Sequence, residues 1–257
     1  MKFTTVHFIG AGPGSYDLIT IRGINIINNC QVCLYTGSTV NPYIINYCPQ
    51  NARIINTAFL DLNEIKLEYK RAYYYNNNVA RIHSGDLSIY STLAEQIRLL
   101  KNMNTYYTIT PGIPAFTAAT SLIKIELTIP EIAQSIILTR LSGRASKVPF
   151  KERLEYFAYT QSTLVIYLSI HRIEEVVKRV KPFYGDNCPI ILFYKVTWSD
   201  EKIIKGTLSD ILLRIKKIYL FKSSALIFIS PALISNKFKN SYLYKIKYCR
   251  KFRSAKV

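Results

Sequence analysis

The chain has 257 residues, enough for one large domain or two small ones with a real core. Apolar residues make up 49% and aromatic ones 13%, which excludes wholesale disorder, and the longest apolar runs, such as Ala-Leu-Ile-Phe-Ile at 225–229, fall far short of a bilayer span. Thirty-four Lys and Arg against 16 Asp and Glu leave a formal charge of +18, which attracts polyanions without choosing between nucleic acid and a polycarboxylate ligand.

The opening Met1-Lys-Phe-Thr-Thr leads into a strand and carries no signal-peptide core, so a soluble, cytoplasmic protein without a membrane partner is expected. Residues 6–11 are a buried-strand run ending in Gly10-Ala-Gly-Pro-Gly14. Leu18, Ile21, Ile24 and Ile27 then recur at helical spacing, with Asp17 or Ser15 as the expected cap. The glycines do not fit the dinucleotide pattern G-x-G-x-x-G, and Pro13 removes an amide that a phosphate cradle would use. Cys30 and Cys33 have the spacing of a zinc or redox pair, but no second close pair completes a tetrahedral site, so small buried hydrophobes and no metal are expected.

A strand at 32–35 is followed by helical stretches at 41–48 and 61–75, with a strand at 53–56 between them. A strand at 79–82 delivers Arg81-Ile-His-Ser-Gly-Asp-Leu-Ser-Ile-Tyr-Ser91 at its end, and a helix is predicted from about 89 to 101. A strand at 106–110 closes on Pro111-Gly-Ile-Pro-Ala115. This alternation predicts an α/β fold with a largely parallel sheet, whose strand-end loops are where cofactor sites are built.

Strands at 135–139, 163–168, 189–194, 201–205 and 224–229, with helices at 150–159, 171–181 and 208–216, predict a second, mixed sheet. The expected division is an N-terminal α/β domain at 1–113, a C-terminal α/β domain at 114–235 and a basic tail at 236–257. The tail holds eight of the positive charges and no acid, and reads as a solvated extension rather than a nucleic-acid contact.

Together, residues 6–19, Tyr35-Thr-Gly-Ser-Thr-Val-Asn-Pro42, 83–91, 110–115, Ser135-Ile-Ile-Leu-Thr-Arg140, 167–174 and Trp198-Ser-Asp-Glu-Lys-Ile-Ile-Lys-Gly-Thr-Leu208 resemble the tetrapyrrole methylases, to about residue 233. The His-Ser-Gly-Asp loop, the Leu-Thr-Arg strand end and the Trp-x-Asp-Glu-Lys hairpin resemble its corrin branch. The resemblance implies two α/β domains with a cofactor cleft between them, a homodimer, S-adenosyl-L-methionine as cofactor, and methylation at C11 of precorrin-4 or its cobalt form. A sister methylase of another ring position and a nucleic-acid-modifying member of the same fold are the alternatives it leaves.

The cofactor contacts implied by the resemblance are Pro13, Ser84, Gly85, Asp86, Ile89, Pro114, Ala115, Leu168 and Val196. They are mostly backbone contacts, at which small residues matter. Two positions depart from the pattern. Leu87 stands where the family usually has proline, which implies a more mobile loop, and Pro114 replaces a small hydroxyl residue, deleting an amide and an OH.

In-line methyl transfer needs no covalent nucleophile, and no catalytic residue is assigned. Asp86 is expected either to orient the cofactor or to cap the helix at Ile89. A tetrapyrrole carries acetate and propionate groups, for which Arg140 and Arg144 are the leading expected partners; His83 reads either as a further partner or as a satisfied strand-end histidine, and Arg172 either as a propionate clamp or as a surface ion-pairing residue. Trp198, the only tryptophan, is expected to pack rather than to stack on a macrocycle.

Overall fold

A computed structural model describes residues 4–143, 146–216 and 224–234, together with residues 239, 241, 245, 248 and 249. The chain divides into two compact units, Met1–Leu122 with Lys195–Glu201, and Ile123–Tyr194 with Lys202–Val257.

The first unit is built on five parallel strands, β1 (Thr5–Gly10), β2 (Val32–Tyr35), β3 (Arg53–Asn56), β4 (Val79–His83) and β5 (Tyr106–Thr110), in the order β3-β2-β4-β1-β5. β1 and β4 lie inside the sheet, and β4 is buried at every position, so even its Arg81 and His83 are enclosed. One face carries Val6, Phe8, Leu34 and Val79 against Ile65, Tyr69 and Leu100 from α2 (Leu62–Tyr74) and α3 (Leu93–Asn102). The other carries Ile9, Cys33, Ala80 and Ile82 against Ile19 and Ile27, the latter from α1 (Ile21–Ile27). Cys30 and Cys33 are buried there as small apolar groups, and burial pushes the Cys30 thiol up to about 12. A further helix, α4 (Ala115–Ile123), follows the Pro111–Pro114 turn, where only a break was expected.

Two helix starts differ from expectation. α1 is capped by Thr20, whose hydroxyl accepts the Gly23 amide, and residues 16–18 form a separate 3₁₀ turn. α3 begins at Leu93 rather than near Ile89, because Tyr90 and Thr92 hold left-handed backbone with φ of 51° and 56°.

The second unit contains α5 (Leu154–Tyr159), α6 (Ile173–Tyr184) and α7 (Ile211–Lys216) beside a mixed sheet. Its strands are β6 (Ile136–Arg140), β7 (Thr163–Tyr167), β8 (Pro189–Tyr194), β9 (Lys202–Thr207) and β10 (Ala225–Ile229), in the order β6-β7-β10-β8-β9. β6 and β7 are parallel and the other neighbours antiparallel. Its core holds Leu164, Ile166, Val176, Val180, Ile190 and Ile227. No helix among the described residues is long and apolar enough to cross a membrane. Arg144 and most of 236–257 lie outside the described residues.

Candidate functional site

The C-terminal ends of β1, β4 and β5 converge through their backbones. Backbone pairing between the two segments goes on past the parallel β1–β4 ladder: Ala11 N–H donates to the His83 carbonyl at 2.8 Å, and Gly12 and Gly85 then exchange hydrogen bonds of 3.2 and 2.7 Å as an isolated antiparallel bridge. Gly112, after β5, lies against this pair. A Cβ on Gly112 would fall 2.2 Å from the Gly85 oxygen, and one on Gly10 would fall 2.6 Å from the Gly112 nitrogen. Three loops approach so closely that only glycine fits at Gly10 and Gly112. Gly85 is different: its φ is +64° and a Cβ there would meet nothing within 4 Å, so open space lies against its backbone.

Asp86 fastens the knot. One carboxylate oxygen accepts the Gly112 amide at 2.9 Å, and the other accepts the Ser88 amide at 2.9 Å and the Ser88 hydroxyl. Partial desolvation pushes its carboxyl up, but the hydrogen bonds from Ser88, Gly112 and Leu87 outweigh it and hold the group below the usual carboxylate range. The expected cap of a helix at Ile89 is replaced by an Asx turn, since no helix begins there. Leu87, expected to loosen this loop, is 3% exposed and packs with Val6, Phe8 and Leu100. Burying such a side chain is worth about 1.5–3 kcal/mol, an anchorage that replaces the fixed φ of a proline.

Pro13 and Gly14 are held from the far end of the chain. The Trp198 indole N–H donates to the Pro13 carbonyl at 3.2 Å, and the Thr197 hydroxyl accepts the Ser15 amide at 2.9 Å. A Cβ on Gly14 would lie 2.4 Å from the indole and 2.6 Å from the Val196 carbonyl. Asn41 completes the frame by donating to the Gly14 carbonyl at 2.8 Å. Trp198 therefore packs, as expected, with the Pro-Gly backbone as its seat.

Ser84, Ile89, Pro114 and Ala115 are half-buried around the first-unit knot, and Val196 is buried. Pro114 precedes α4 and its carbonyl accepts the Thr117 amide and hydroxyl, at 3.2 and 2.8 Å. In the second unit Leu168 is 60% exposed at the end of β7 with left-handed backbone, φ 54°. A bulky residue in that conformation is strained by about 1–2 kcal/mol.

Two of the expected carboxylate partners are engaged otherwise. His83 is 5% exposed, and burial, assisted by the neighbouring Arg81 charge, lowers its pKa to about 3, so near neutrality it is no cation. Its Nε2 is buried without a hydrogen-bond partner among the described residues. Arg172 donates to Glu175 and to the Ser142 carbonyl, which makes it a brace for the loop after β6. Arg140, half-buried at the end of β6, donates from Nη2 to Ser146.

Arg81, to which the sequence assigns no role of its own, is the buried centre of a polar network. Its guanidinium donates to Gln96 at 2.9 Å, to Thr57 at 3.0 Å and to the Leu34 carbonyl at 3.4 Å, while Tyr69 also donates to Gln96. An arginine in an otherwise apolar strand was the only signal in the sequence that could have pointed to it.

A model of the tetrapyrrole (corrin/porphyrin) methylases matches residues 5–212. A precorrin-4 C(11)-methyltransferase from Sinorhizobium sp is 50% identical over 249 residues, covering 97% of this chain and 98% of the relative. A cobalt-precorrin-4 C(11)-methyltransferase from Methanocaldococcus jannaschii is 38% identical, covering 97% and 96%. The X-ray structure of a cobalt precorrin-4 methyltransferase superposes with a TM-score of 0.85 at 32% identity, over 90% of this chain and 96% of that one. The chain belongs to the tetrapyrrole methylases.

Proposed function

We propose that this protein is an S-adenosyl-L-methionine-dependent C-methyltransferase that methylates a corrin precursor, precorrin-4 or its cobalt form, at C11. The observation that carries the reading is the backbone knot of Gly10, Gly85 and Gly112 with open space beside Gly85, in a chain half identical to a relative named for that reaction. Small residues and strand-end backbone fit a cofactor recognised largely through main-chain groups.

When bound, S-adenosyl-L-methionine supplies a methyl group on an electrophilic sulfonium. Pro13, Ser84, Gly85, Asp86, Ile89, Pro114, Ala115 and Val196 are the proposed first-unit contacts, and Leu168 is the second unit's. Asp86 serves chiefly by holding the Gly85 loop onto Gly112, which fixes the cofactor's seat. Holding reactants in an aligned geometry can contribute roughly 7–11 kcal/mol, so positioning and exclusion of water are the main work of these residues. Arg140 is the proposed partner of a substrate carboxylate, and Arg144 stands with it by sequence. Buried neutral His83 and the loop brace Arg172 have no part in this clamp.

The same reading takes the enzyme to be a cytoplasmic homodimer; light scattering on the purified protein measures the dimer, and cell fractionation the location. The decisive experiment incubates the protein with methyl-labelled cofactor and precorrin-4 and maps the new methyl by NMR. Label at C11 is expected. Label at another ring position would make this a sister methylase, and no uptake of cofactor by folded protein would remove the methylase reading.

A further inference from the structure

The loop between β8 and β9, Lys195–Glu201, belongs with the first unit although both flanking strands belong to the second. It is locally costly. Lys195 and Thr197 both hold left-handed backbone, with φ of 48° and 66°, and Thr197 is β-branched. The loop's own bonds compensate: Lys195 pairs with Asp200 at 2.6 Å, Glu201 accepts the Thr197 amide at 2.9 Å, and Trp198 N–H donates to the Lys195 carbonyl at 3.0 Å. The result is a rigid presentation of two side chains, Thr197 and Trp198. Both end on Pro13–Ser15.

We infer that Trp198, seconded by Thr197, is a positioning residue that fixes the Pro13–Gly14 wall of the methyl-donor site, and that its indole registers whether that site is filled. The inference rests on the proposed cofactor reading. Among the described residues the carbonyl of Pro13 accepts the indole N–H, at 3.2 Å, and the Gly14 backbone is pressed against the ring edge with no room for a Cβ. With Pro13 lacking an amide of its own, the loop cannot tie itself down from that side, so orientation of the Pro13–Ser15 peptide units is supplied from outside. Asn41 at the Gly14 carbonyl and Thr197 at the Ser15 amide restrain the following two residues, whereas Pro13 is held, among the described residues, by Trp198. A ligand touching Pro13 displaces or polarises the peptide bonded to the indole, and no other tryptophan exists to mask the response.

The test uses the full chain with S-adenosyl-L-homocysteine as probe, followed by calorimetry and by tryptophan emission. Titration of the wild type is expected to change the emission with the same midpoint as the heat. Trp198→Phe keeps an aromatic ring but loses both the donor and the Cδ1–Nε1 edge that meets Gly14; it should weaken binding by at least about three- to tenfold, the range for one lost hydrogen bond, and the thermal midpoint measured alongside separates this from a loss of fold. Thr197→Val, which removes the acceptor of the Ser15 amide while keeping the β-branched shape, should weaken binding in the same direction and decides the matter if the phenylalanine variant does not fold. Binding by the wild type with no change in emission, or undiminished binding by both variants, would overturn the positioning role while leaving the cofactor reading intact. Absence of binding by the wild type would remove both.

Discussion

Gly85 and Gly112 share one knot, yet a methyl group would meet very different surroundings at the two. At Gly112 it would sit 2.2 Å from the Gly85 carbonyl and 2.7 Å from Gly10, all backbone that has no rotamer to escape into. Gly112→Ala is therefore expected to cost about 3 kcal/mol or more. At Gly85 space is open and only the positive φ resists, so Gly85→Ala is expected to cost about 1–2 kcal/mol. Thermal unfolding of the two variants checks the order, and a Gly112→Ala protein as stable as Gly85→Ala would contradict the close approach. His83 makes a second prediction at this scale. Its folded pKa of about 3 lies below the ordinary histidine value of 6.5, so at neutral pH both folded and unfolded states are largely uncharged. As pH falls below about 6.5 the unfolded chain takes a proton that the folded one refuses, and stability is lost progressively down to about pH 3. Between pH 6.5 and 5 the loss is about 2 kcal/mol. Urea unfolding at both pH values should show that loss in the wild type and not in His83→Gln; equal pH dependence in the two would exclude it.

Among the elements, those with a strong local period were legible. β2, β3 and β8 lie where their apolar runs end, and α2 starts beside Asp61, whose carboxylate accepts the Asn63 and Glu64 amides in a capping box. The expected start of α3 falls four residues early because Ile89 continues its apolar period; the left-handed Tyr90 and Thr92 interrupt it, and nothing in those residue types announces φ > 0. α4 was missed because Pro111 and Pro114 signal a break and the small residues of Ala115–Ile123 give little amphipathic contrast. The site was legible to the same degree. Glycine-rich strand ends marked three loops, since glycine at a strand tip has a conformational reason. The clip from Trp198 to Pro13 joins residues 185 apart, and the Arg81 network joins strands and helices across the sheet; such contacts leave no periodic trace in the chain. At His83 a titratable residue at a strand end left a charged and a structural role open, and its burial follows from pairing with Gly10 in the centre of the sheet.

Across the whole molecule, the +18 charge favours a substrate rich in carboxylates over the methyl donor, which carries no net negative charge. Raising the salt from about 50 to 500 mM shortens the screening length severalfold. The kcat/KM for the tetrapyrrole is therefore expected to fall with ionic strength, while the affinity for S-adenosyl-L-homocysteine, measured by calorimetry, stays nearly constant. Parallel loss of both would assign the charge some other purpose. The connectivity of the two units carries a consequence for biosynthesis. Because Lys195–Glu201 is part of the first unit, the chain leaves that unit after Leu122 and must come back to it before finishing. A ribosome that has released only the first 122 residues has made five parallel strands but not the tryptophan that holds Pro13. The first unit thus stays unfinished until much of the second has been translated, and a gene fragment cut at the obvious boundary yields a sheet whose Pro13–Ser15 loop has lost its clasp.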